Sequence, residues 1–335
     1  MIKYRVSELS GNEILAQSVY LENGEILLKE GTRIEESYKE SLLALDIQEV
    51  FVKDKYEEYE KPNFYLEKDK IIEYQQELEK ILSHHVYKEN ERLKGIKNLA
   101  EKIVEEIYQV ENPNVIDIVE RTDSLYEHII YTTLWSLILG KEYGFSKKQM
   151  EELALGGLLH DLGLCYTNVK YQDCNIEEMT PMEIFELKKH TILAYTALEK
   201  ETWIPEISKK IILFHHEKLD GSGYPLKQKS QESECRIIQI CDTMDGILCG
   251  MERKKDSLEN ALDEIANSQR YDVDIVEILK KKIAKYPVGT RLQLESGKKA
   301  VVVAQTENSV EPEIIVMEEE NIHPKRLSEQ VIHII

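Results

Sequence analysis

Histidine and aspartate side chains that can bind metal ions recur through the middle of this 335-residue chain. In order they are His128, the pair His160-Asp161, His190, the pair His215-His216, and Asp242. Each belongs to, or directly follows, an apolar stretch with helical spacing, where an unpaired imidazole or carboxylate is costly to bury. A divalent cation would accept the imidazole lone pairs and neutralise the carboxylates. The pattern therefore predicts a metal site.

The types and order of these residues also indicate what the site holds. Consecutive helical side chains such as those of His160 and Asp161 diverge by about 100°, so Asp161 can bridge two ions while His160 binds one. Nitrogen and oxygen ligands without thiolate favour Fe, Mn or Zn. Two neighbouring ions would activate a bridging hydroxide and stabilise charge on a phosphoryl group. We therefore expect two divalent ions, Fe or Mn before Zn, and hydrolysis of a phosphoester.

Simpler explanations compete with a functional one for several features. A lone histidine on an apolar helix is usually a core residue, but five histidines with two aspartates in this order are not explained in that way. His84-His85 stands apart from the other histidines and is interpreted as part of a solvated helix face. The loop GSGYP (221–225) could be only a tight turn. The basic run Arg253-Lys254-Lys255 could be only a solvated helix end.

Composition excludes several classes of protein. The formal net charge is -20, which opposes non-specific binding to DNA or to an anionic membrane. No apolar run approaches the roughly 20 residues that span a bilayer, and the first residues lack the apolar core of a signal peptide. The five cysteines contain no CxxC pair, which favours a reducing compartment. We expect a cytoplasmic protein with no membrane span and no DNA partner.

The ends of the chain predict two small β-rich units. Residues 1–60 contain short strand-like runs on either side of the turn Glu22-Asn23-Gly24, a helix near 34–45 and the strand EVFVKD. Residues 287–335 contain three further strand patterns separated by turns. We expect this C-terminal unit to be able to pack on the N-terminal one.

The middle of the chain predicts helices, so the fold class is mainly α. Residues 61–111 are polar with apolar residues three or four apart, which is typical of a helical linker. Residues 112–286 are almost wholly helical and form the metal domain. Thr180 and Pro181 combine an N-cap, a proline in the first turn and a capping box, and they should begin the helix that carries His190.

Three motifs around these residues resemble one known family. LLHDLG (158–163) is followed by HEKLDGSGYP (216–225) and then by RIIQICDTMDGIL (236–248). With His128 and His190, this order is similar to that of the HD-GYP family, bacterial cyclic di-GMP phosphodiesterases within the HD superfamily of metal-dependent phosphohydrolases. An HD dipeptide alone means little, but the ordered set is specific, and it covers roughly residues 112–285. The flanking segments resemble accessory regions of bacterial members.

The resemblance implies roles for individual residues. The implied metal ligands are His128, His160, Asp161, His190, His215, His216 and Asp242. The implied residues of the substrate pocket are Gly223, Tyr224, Pro225, Arg253 and Lys254. Asp161 and Asp245 would be the catalytic carboxylates, Asp245 by orienting a ligand. The implied reaction is hydrolysis of cyclic di-GMP to pGpG and/or GMP by a metal-bridging hydroxide.

Three positions depart from the family pattern. Leu164 stands where the HD motif usually continues to a lysine, and Met251 replaces an arginine of the basic loop. Ser124 replaces a glutamate that members with three metals carry, so we expect no third ion. This chain therefore has fewer groups that contact phosphate than the family pattern has. The alternative to an active phosphodiesterase is a catalytically weakened domain that acts as a receptor for a cyclic dinucleotide or as a signalling adaptor. Either protein would act as a homodimer or with a signalling partner, and a hydrolase for another phosphoester is a third possibility.

Overall fold

The computed structural model describes residues 2–9, 11, 13–21, 25–45, 47–111, 113–266, 269–317 and 323–335. The chain forms two compact units. The β-rich unit comprises Met1–Pro62, Tyr286–Thr306 and Glu311–Ile335, and the helical unit comprises Asn63–Lys285 and Glu307–Val310. The predicted fold class is confirmed, because helices dominate the middle of the chain and short strands occupy both ends. The finer division at residues 60, 111 and 286 stays a prediction.

Antiparallel pairs of strands organise the N-terminal part of the β-rich unit. Its elements are β1 (Ile2–Arg5), β2 (Val19–Tyr20), β3 (Ile26–Leu28), α1 (Glu36–Ala44) and β4 (Glu49–Val52). β1 pairs with β4, and β2 pairs with β3. Val50 and Val52 are buried while Glu49 is exposed, the alternation expected of a strand with one face on a core. The predicted turn at 22–24 lies outside the described residues.

The C-terminal part of the β-rich unit is one antiparallel sheet. Its strands are β5 (Arg291–Leu294), β6 (Lys299–Ala304), β7 (Glu313–Val316), β8 (Lys325–Arg326) and β9 (Val331–Ile334). The spatial order is β8-β7-β6-β5-β9. Tyr56, from the N-terminal part, packs against Val301, Val303 and Ile315 of this sheet. The two β-rich segments therefore share a core.

The helical unit is built around one long buried helix. Its helices are α2 (Lys68–Leu82), α3 (Gly95–Gln109), α4 (Leu125–Tyr143), α5 (Lys147–Leu159), α6 (Pro181–Lys188), α7 (His190–Leu198), α8 (Glu206–Phe214), α9 (Ser233–Cys249), α10 (Leu258–Ala266) and α11 (Val273–Lys282). Every residue of α4 from His128 to Gly140 is buried, as expected of a helix that is apolar on all sides. α5 and α9 pack on it. Among the described helices, none is long and apolar enough to cross a membrane.

Of the predicted linker at 61–111, the part from Asn63 onward belongs to this helical unit. The sequence interpretation treats the segment as a linker with one connecting helix, whereas the structure has two helices, α2 and α3, separated at Ser83 to Lys94. Each helix buries one apolar face, including Leu78 on α2 and Ile103 on α3, in the core that also contains α4. The polar residues that suggest a linker lie on the opposite, exposed faces.

The helix predicted to carry His190 is two helices. Thr180 accepts a hydrogen bond from the backbone N–H of Glu183 and forms the predicted capping box, but α6 ends at Lys188. A separate helix, α7, begins at His190. The prediction of one continuous helix was therefore wrong, because the capping motif fixes where a helix begins and carries no information about where it ends.

Candidate metal centre

Five elements of the helical unit bring the predicted ligands to one buried location. His128 is on α4 and Asp242 is on α9, while His190 is the first residue of α7. The two dipeptides lie at helix ends: His160 directly follows α5, and His215 directly follows α8. A helix end allows consecutive side chains to point at neighbouring targets, which a continuous helix does not.

The seven residues form two groups that have Asp161 in common. One group is His128, His160, Asp161 and Asp242, and the other is Asp161, His190, His215 and His216. In each group the candidate ligand atoms lie within 4.8 Å of one another. Asp161 directs Oδ2 at His160 Nε2, 3.3 Å away, and Oδ1 at the Nε2 atoms of His190 and His215, each 3.5 Å away. This is the geometry that a bridging carboxylate requires.

Three of the histidines are held in one tautomer by the same local hydrogen bond. The Nδ1–H groups of His160, His190 and His215 donate to the backbone carbonyls of Gly157, Leu187 and Ile212, at 2.6, 2.8 and 3.0 Å. In each case the acceptor lies three residues earlier in the chain. Because Nδ1 carries the proton, the Nε2 lone pair is free to bind a cation.

Burial and charge at the cluster fit a cation. His160 Nε2 and Asp161 Oδ1 are buried and have no hydrogen-bond partner among the described residues, a costly state unless a ligand satisfies them. Burial lowers the pKa of His190 and of His215, which favours the neutral imidazole that binds metal. Burial opposes protonation of His160 too, but Asp161 and Asp242 outweigh it and raise the pKa to about 10. The buried cluster is thus suited to divalent metal ions.

A buried ion pair supports His128 from behind. His128 Nδ1 lies 2.9 Å from Asp245 Oδ2, and Arg121 Nε donates to Asp245 Oδ1 at 2.9 Å. The Arg121 guanidinium also lies 3.3 Å from the centre of the Tyr131 ring. Asp245, which the sequence interpretation includes among catalytic residues, is fully buried and lies on the outer nitrogen of His128. Its position is that of a residue that orients a ligand.

Glu252 is a second outer carboxylate, and the sequence interpretation missed it. Its Oε1 lies 3.1 Å from His190 Nδ1, and its Oε2 lies 3.3 Å from His216 Nε2. Burial, followed by repulsion from Asp161 and Asp242, raises the pKa of Glu252 to about 8. Glu252 therefore lies beside both histidines, but neither contact is a hydrogen bond, unlike that of Asp245 with His128.

The loop that follows α9 puts Glu252 in this position. Gly250 and Glu252 both have left-handed backbone conformations, with φ of 82° and 57°, and this is uncommon for a residue other than glycine. Residues 171–173 hold the loop on its other side. The N–H of Asp173 donates to Gly250 O at 2.7 Å, and the N–H of Glu252 donates to Tyr171 O at 2.6 Å. No simple sequence motif signals this arrangement.

The GYP loop lies against the same outer carboxylate. The Tyr224 ring stacks on His216 with centroids 4.7 Å apart, and its hydroxyl donates to Glu252 Oε2 at 3.1 Å. A Cβ on Gly223 would lie 2.4 Å from the carbonyl oxygen of His216, so only glycine permits this close approach. Pro225 follows in the same turn. In the part of the chain that the structure describes, the three residues support the cavity wall from behind rather than line it.

Gly163, the last residue of the LLHDLG motif, permits a similarly close approach. A Cβ at this position would lie 1.9 Å from the carbonyl oxygen of His190. We therefore expect Gly163→Ala to push α7 away from Asp161 and to weaken binding of the ion on the His190 side. Metal analysis of the purified variant should find about one ion fewer than in wild type. Gly95→Ala is the control, since Gly95 has an ordinary helical φ of -60° and a Cβ there would meet only the Cδ1 and Cγ1 atoms of the Ile81 side chain, at 3.3 and 3.7 Å; equal metal content in all three proteins would contradict the expectation.

A cavity of about 450 Å³ opens beside the metal centre. Asp161, His216 and Asp242 lie on its floor, and the predicted substrate cations Arg253 and Lys254 lie on its wall. Both cations are paired with carboxylates. Arg253 is 2.9 Å from Glu264, and Lys254 is 3.4 Å from Asp173. Each cation therefore has a carboxylate beside it, in an ion pair that is open to solvent and correspondingly weak.

A second cavity, of about 630 Å³, contains two of the positions that depart from the family pattern. Ser124 is the N-cap of α4, and its side chain accepts a hydrogen bond from the backbone N–H of Glu127, which gives the serine a structural role. Leu164 also lines this cavity but is 1 % exposed and belongs to the core. The third position, Met251, is buried beside the first cavity.

Ser124 also leads to an expectation about the number of ions. A hydroxyl that already caps a helix cannot offset the charge of a further dication. We expect metal-saturated protein to bind no more than two ions per chain, as measured by elemental analysis against protein concentration. A reproducible value of three would contradict this expectation.

The sequence interpretation places His84 and His85 on a solvated helix face, and the structure places them elsewhere. Both follow the end of α2, and His84 is exposed. His85 Nδ1 lies 2.7 Å from the Tyr166 hydroxyl, and its Nε2 lies 3.2 Å from Asn90 Oδ1. Burial lowers the pKa of His85. The prediction was wrong for His85, because it follows the helix and its contacts with Tyr166 and Asn90 leave it partly buried.

Comparisons with known proteins agree with this fold and site. Residues 125–247 match the family model described as HD domain. Cyclic di-GMP phosphodiesterase PA4108 of Pseudomonas aeruginosa is 26% identical over 187 residues, which are 54% of this chain and 44% of that protein. A cyclic di-GMP phosphodiesterase of Thermotoga maritima is 28% identical over 213 residues, 58% of this chain and 56% of that protein. The chain thus spans about half the length of these curated relatives.

A solved structure is similar in fold. Bd1817, described as an HDG"Y"P protein from Bdellovibrio bacteriovorus, superposes with a TM-score of 0.50 at 17% identity, covering 83% of this chain and 97% of that one. The helical unit of this protein therefore contains an HD domain. With the GYP loop after the pair His215-His216, this segment is similar to the HD-GYP family, and the two relatives match the chain across it.

Proposed function

We propose that this protein is a phosphodiesterase that hydrolyses cyclic di-GMP to pGpG and/or GMP with two divalent metal ions. The observation that carries the proposal is the orientation of Asp161, which directs one carboxylate oxygen at each group of histidines beside an open cavity. The nitrogen and oxygen ligands without thiolate fit Fe, Mn or Zn, and of these we propose iron or manganese. The two curated relatives described above carry the name cyclic di-GMP phosphodiesterase.

Each ion would have its own ligands in addition to Asp161. His128, His160 and Asp242 would hold one ion, and His190, His215 and His216 would hold the other. When bound, such ions lower the pKa of water and neutralise charge on a phosphoryl group.

The rest of the chain would keep these ligands fixed during the reaction. Backbone carbonyls hold the rings of His160, His190 and His215, and Asp245 holds the outer nitrogen of His128. Rigid ligands need no reorganisation when charge develops in the transition state. The cavity would receive the phosphodiester at the floor formed by Asp161, His216 and Asp242.

A product assay tests the proposal. Purified protein loaded with iron or manganese would be incubated with cyclic di-GMP, and the products separated by chromatography. We expect pGpG, GMP or both, and no product after treatment with a chelator. Cyclic GMP-AMP would be tested in parallel, because cleavage of that dinucleotide alone would reassign the substrate.

The alternative is a receptor or adaptor with weak or no turnover. It is favoured by Leu164 and Met251 at positions of family cations, and by the carboxylate partners of Arg253 and Lys254. Binding of cyclic di-GMP without cleavage, with both ions present, would support it over the enzyme. We also propose a cytoplasmic location and a homodimer or a signalling partner, and light scattering of the purified protein would test the dimer.

A further inference from the structure

Lys218 lies at the same cavity and differs from the cations predicted there. It follows the pair His215-His216 by two residues, and it lines the cavity together with Asp161 and Asp242. Its Nζ donates to Thr243 Oγ1 at 3.0 Å and to the Tyr271 hydroxyl at 3.1 Å. Among the described residues it forms no ion pair. Both hydrogen-bond partners are neutral, so its positive charge is not offset by contact with a carboxylate.

The hydrogen bonds around Lys218 leave one of its protons unused. The hydroxyl of Tyr271 donates to Thr243 Oγ1 at 3.0 Å, and the hydroxyl of Thr243 donates to Gln239 O at 2.8 Å. Both oxygens are thus acceptors toward the ammonium group. An ammonium group has three N–H donors, and this arrangement uses two of them. The third is available to a ligand.

The backbone on both sides of Lys218 is fixed. The preceding residue, Glu217, is fully buried and accepts a hydrogen bond from the Leu226 N–H at 2.6 Å. The following residue, Leu219, donates its N–H to Arg270 O at 2.9 Å. The ring of Tyr271 lies beneath the ammonium group, with Nζ 4.5 Å from its centroid. A side chain held in this way loses little further freedom when it binds a ligand.

We propose that Lys218 binds a non-bridging phosphate oxygen of the phosphodiester substrate. This inference rests on the proposed function, since it assigns a contact in the same cavity. A phosphate oxygen is the acceptor that best matches an ammonium group with one unused donor. Lys218 would supply the cationic contact that Leu164 and Met251 do not provide. It lies near the start of the segment 216–225, and the GYP residues lie at the end of that segment. The adjacent Thr243 follows the proposed ligand Asp242, which places this contact next to the metal centre.

Binding by variants of the full chain, loaded with manganese, tests the proposal. Isothermal titration would measure Kd for cyclic di-GMP and for diethyl phosphate, a stable phosphodiester without bases, under conditions in which chromatography of the sample finds the cyclic di-GMP still intact. Lys218→Met keeps the aliphatic stem and removes the charge, and we expect it to raise Kd for both ligands about 10- to 100-fold. Lys218→Arg should recover most of the affinity. Lys229→Met, an exposed position on the same loop, is the control and should equal wild type.

The outcomes separate the two proposals. Equal Kd values for wild type and Lys218→Met, with both ligands, would overturn the role of Lys218. Binding of diethyl phosphate but not cyclic di-GMP by wild type would overturn the proposed substrate. The effect of Lys218→Met on Kd for diethyl phosphate would still show whether Lys218 binds a phosphate oxygen. Binding of neither ligand by wild type would overturn both. Circular dichroism melting of each variant would establish that any lost affinity is not lost folding.

Discussion

Asp161→Ala is expected to remove both metal ions from the purified protein. Asp161 is the only residue present in both groups of candidate ligands among the described residues, and its two oxygens face different groups. Its removal therefore takes a negative charge and a ligand atom from each ion at once. Elemental analysis should give close to zero ions per chain, and the proposed phosphodiesterase activity should fall below detection.

Two comparisons make this expectation specific. His128→Ala removes a ligand from one group only, so the ion of the other group should be retained at least in part. His84→Ala changes an exposed histidine outside both groups and should leave metal content unchanged. Retention of two ions by Asp161→Ala would show that the carboxylate is not the bridge.

Asp245→Asn is expected to destabilise the protein even when no metal is present. The side chains of Asp245 and Arg121 are 0% and 1% exposed, and their ion pair has a distance of 2.9 Å. The variant leaves the buried guanidinium without a counter-charge, which typically costs about 3–5 kcal/mol. Urea unfolding of chelator-treated protein measures this cost separately from any loss of metal.

Matched variants separate charge from side-chain removal. Asp263→Asn makes the same change at an exposed position of α10 and should shift stability by about 0.5 kcal/mol or less. The double variant Arg121→Met with Asp245→Leu removes both charges and should recover much of the loss. A change below about 1 kcal/mol in Asp245→Asn would mean that Arg121 is neutralised in another way.

The candidate metal ligands that lie within a helix or at its end can be predicted from the sequence. His128 and Asp242 lie within long helices, and the dipeptides at 160–161 and 215–216 lie where apolar helical patterns end, so the pattern of apolar residues places them on converging elements. The mainly α fold with β-rich ends follows from the same patterns. The ligand roles of these residues remain proposals until metal is measured.

The residues around the ligands are not predictable in the same way. Glu252 reaches His190 and His216 only because the loop after α9 adopts left-handed conformations and is hydrogen-bonded to residues 171–173. Arg121 pairs with a carboxylate 124 positions later in the chain. Among the residues that the structure describes, Lys218 differs from Arg253 and Lys254 in that it forms no ion pair and is hydrogen-bonded to two neutral hydroxyls. These are tertiary contacts between distant segments, which periodicity and motif spacing do not report.

The hydrogen bonds between residues 171–173 and the loop at 250–252 have a consequence for access to the cavity. Asn175, Ile176 and Glu177 of its wall continue directly from the first segment, and Glu252 belongs to the second. The wall and the support of His190 and His216 are therefore mechanically coupled. A movement that widened the entrance would also disturb these histidines, so substrate entry and catalytic competence would be linked through a single small piece of backbone.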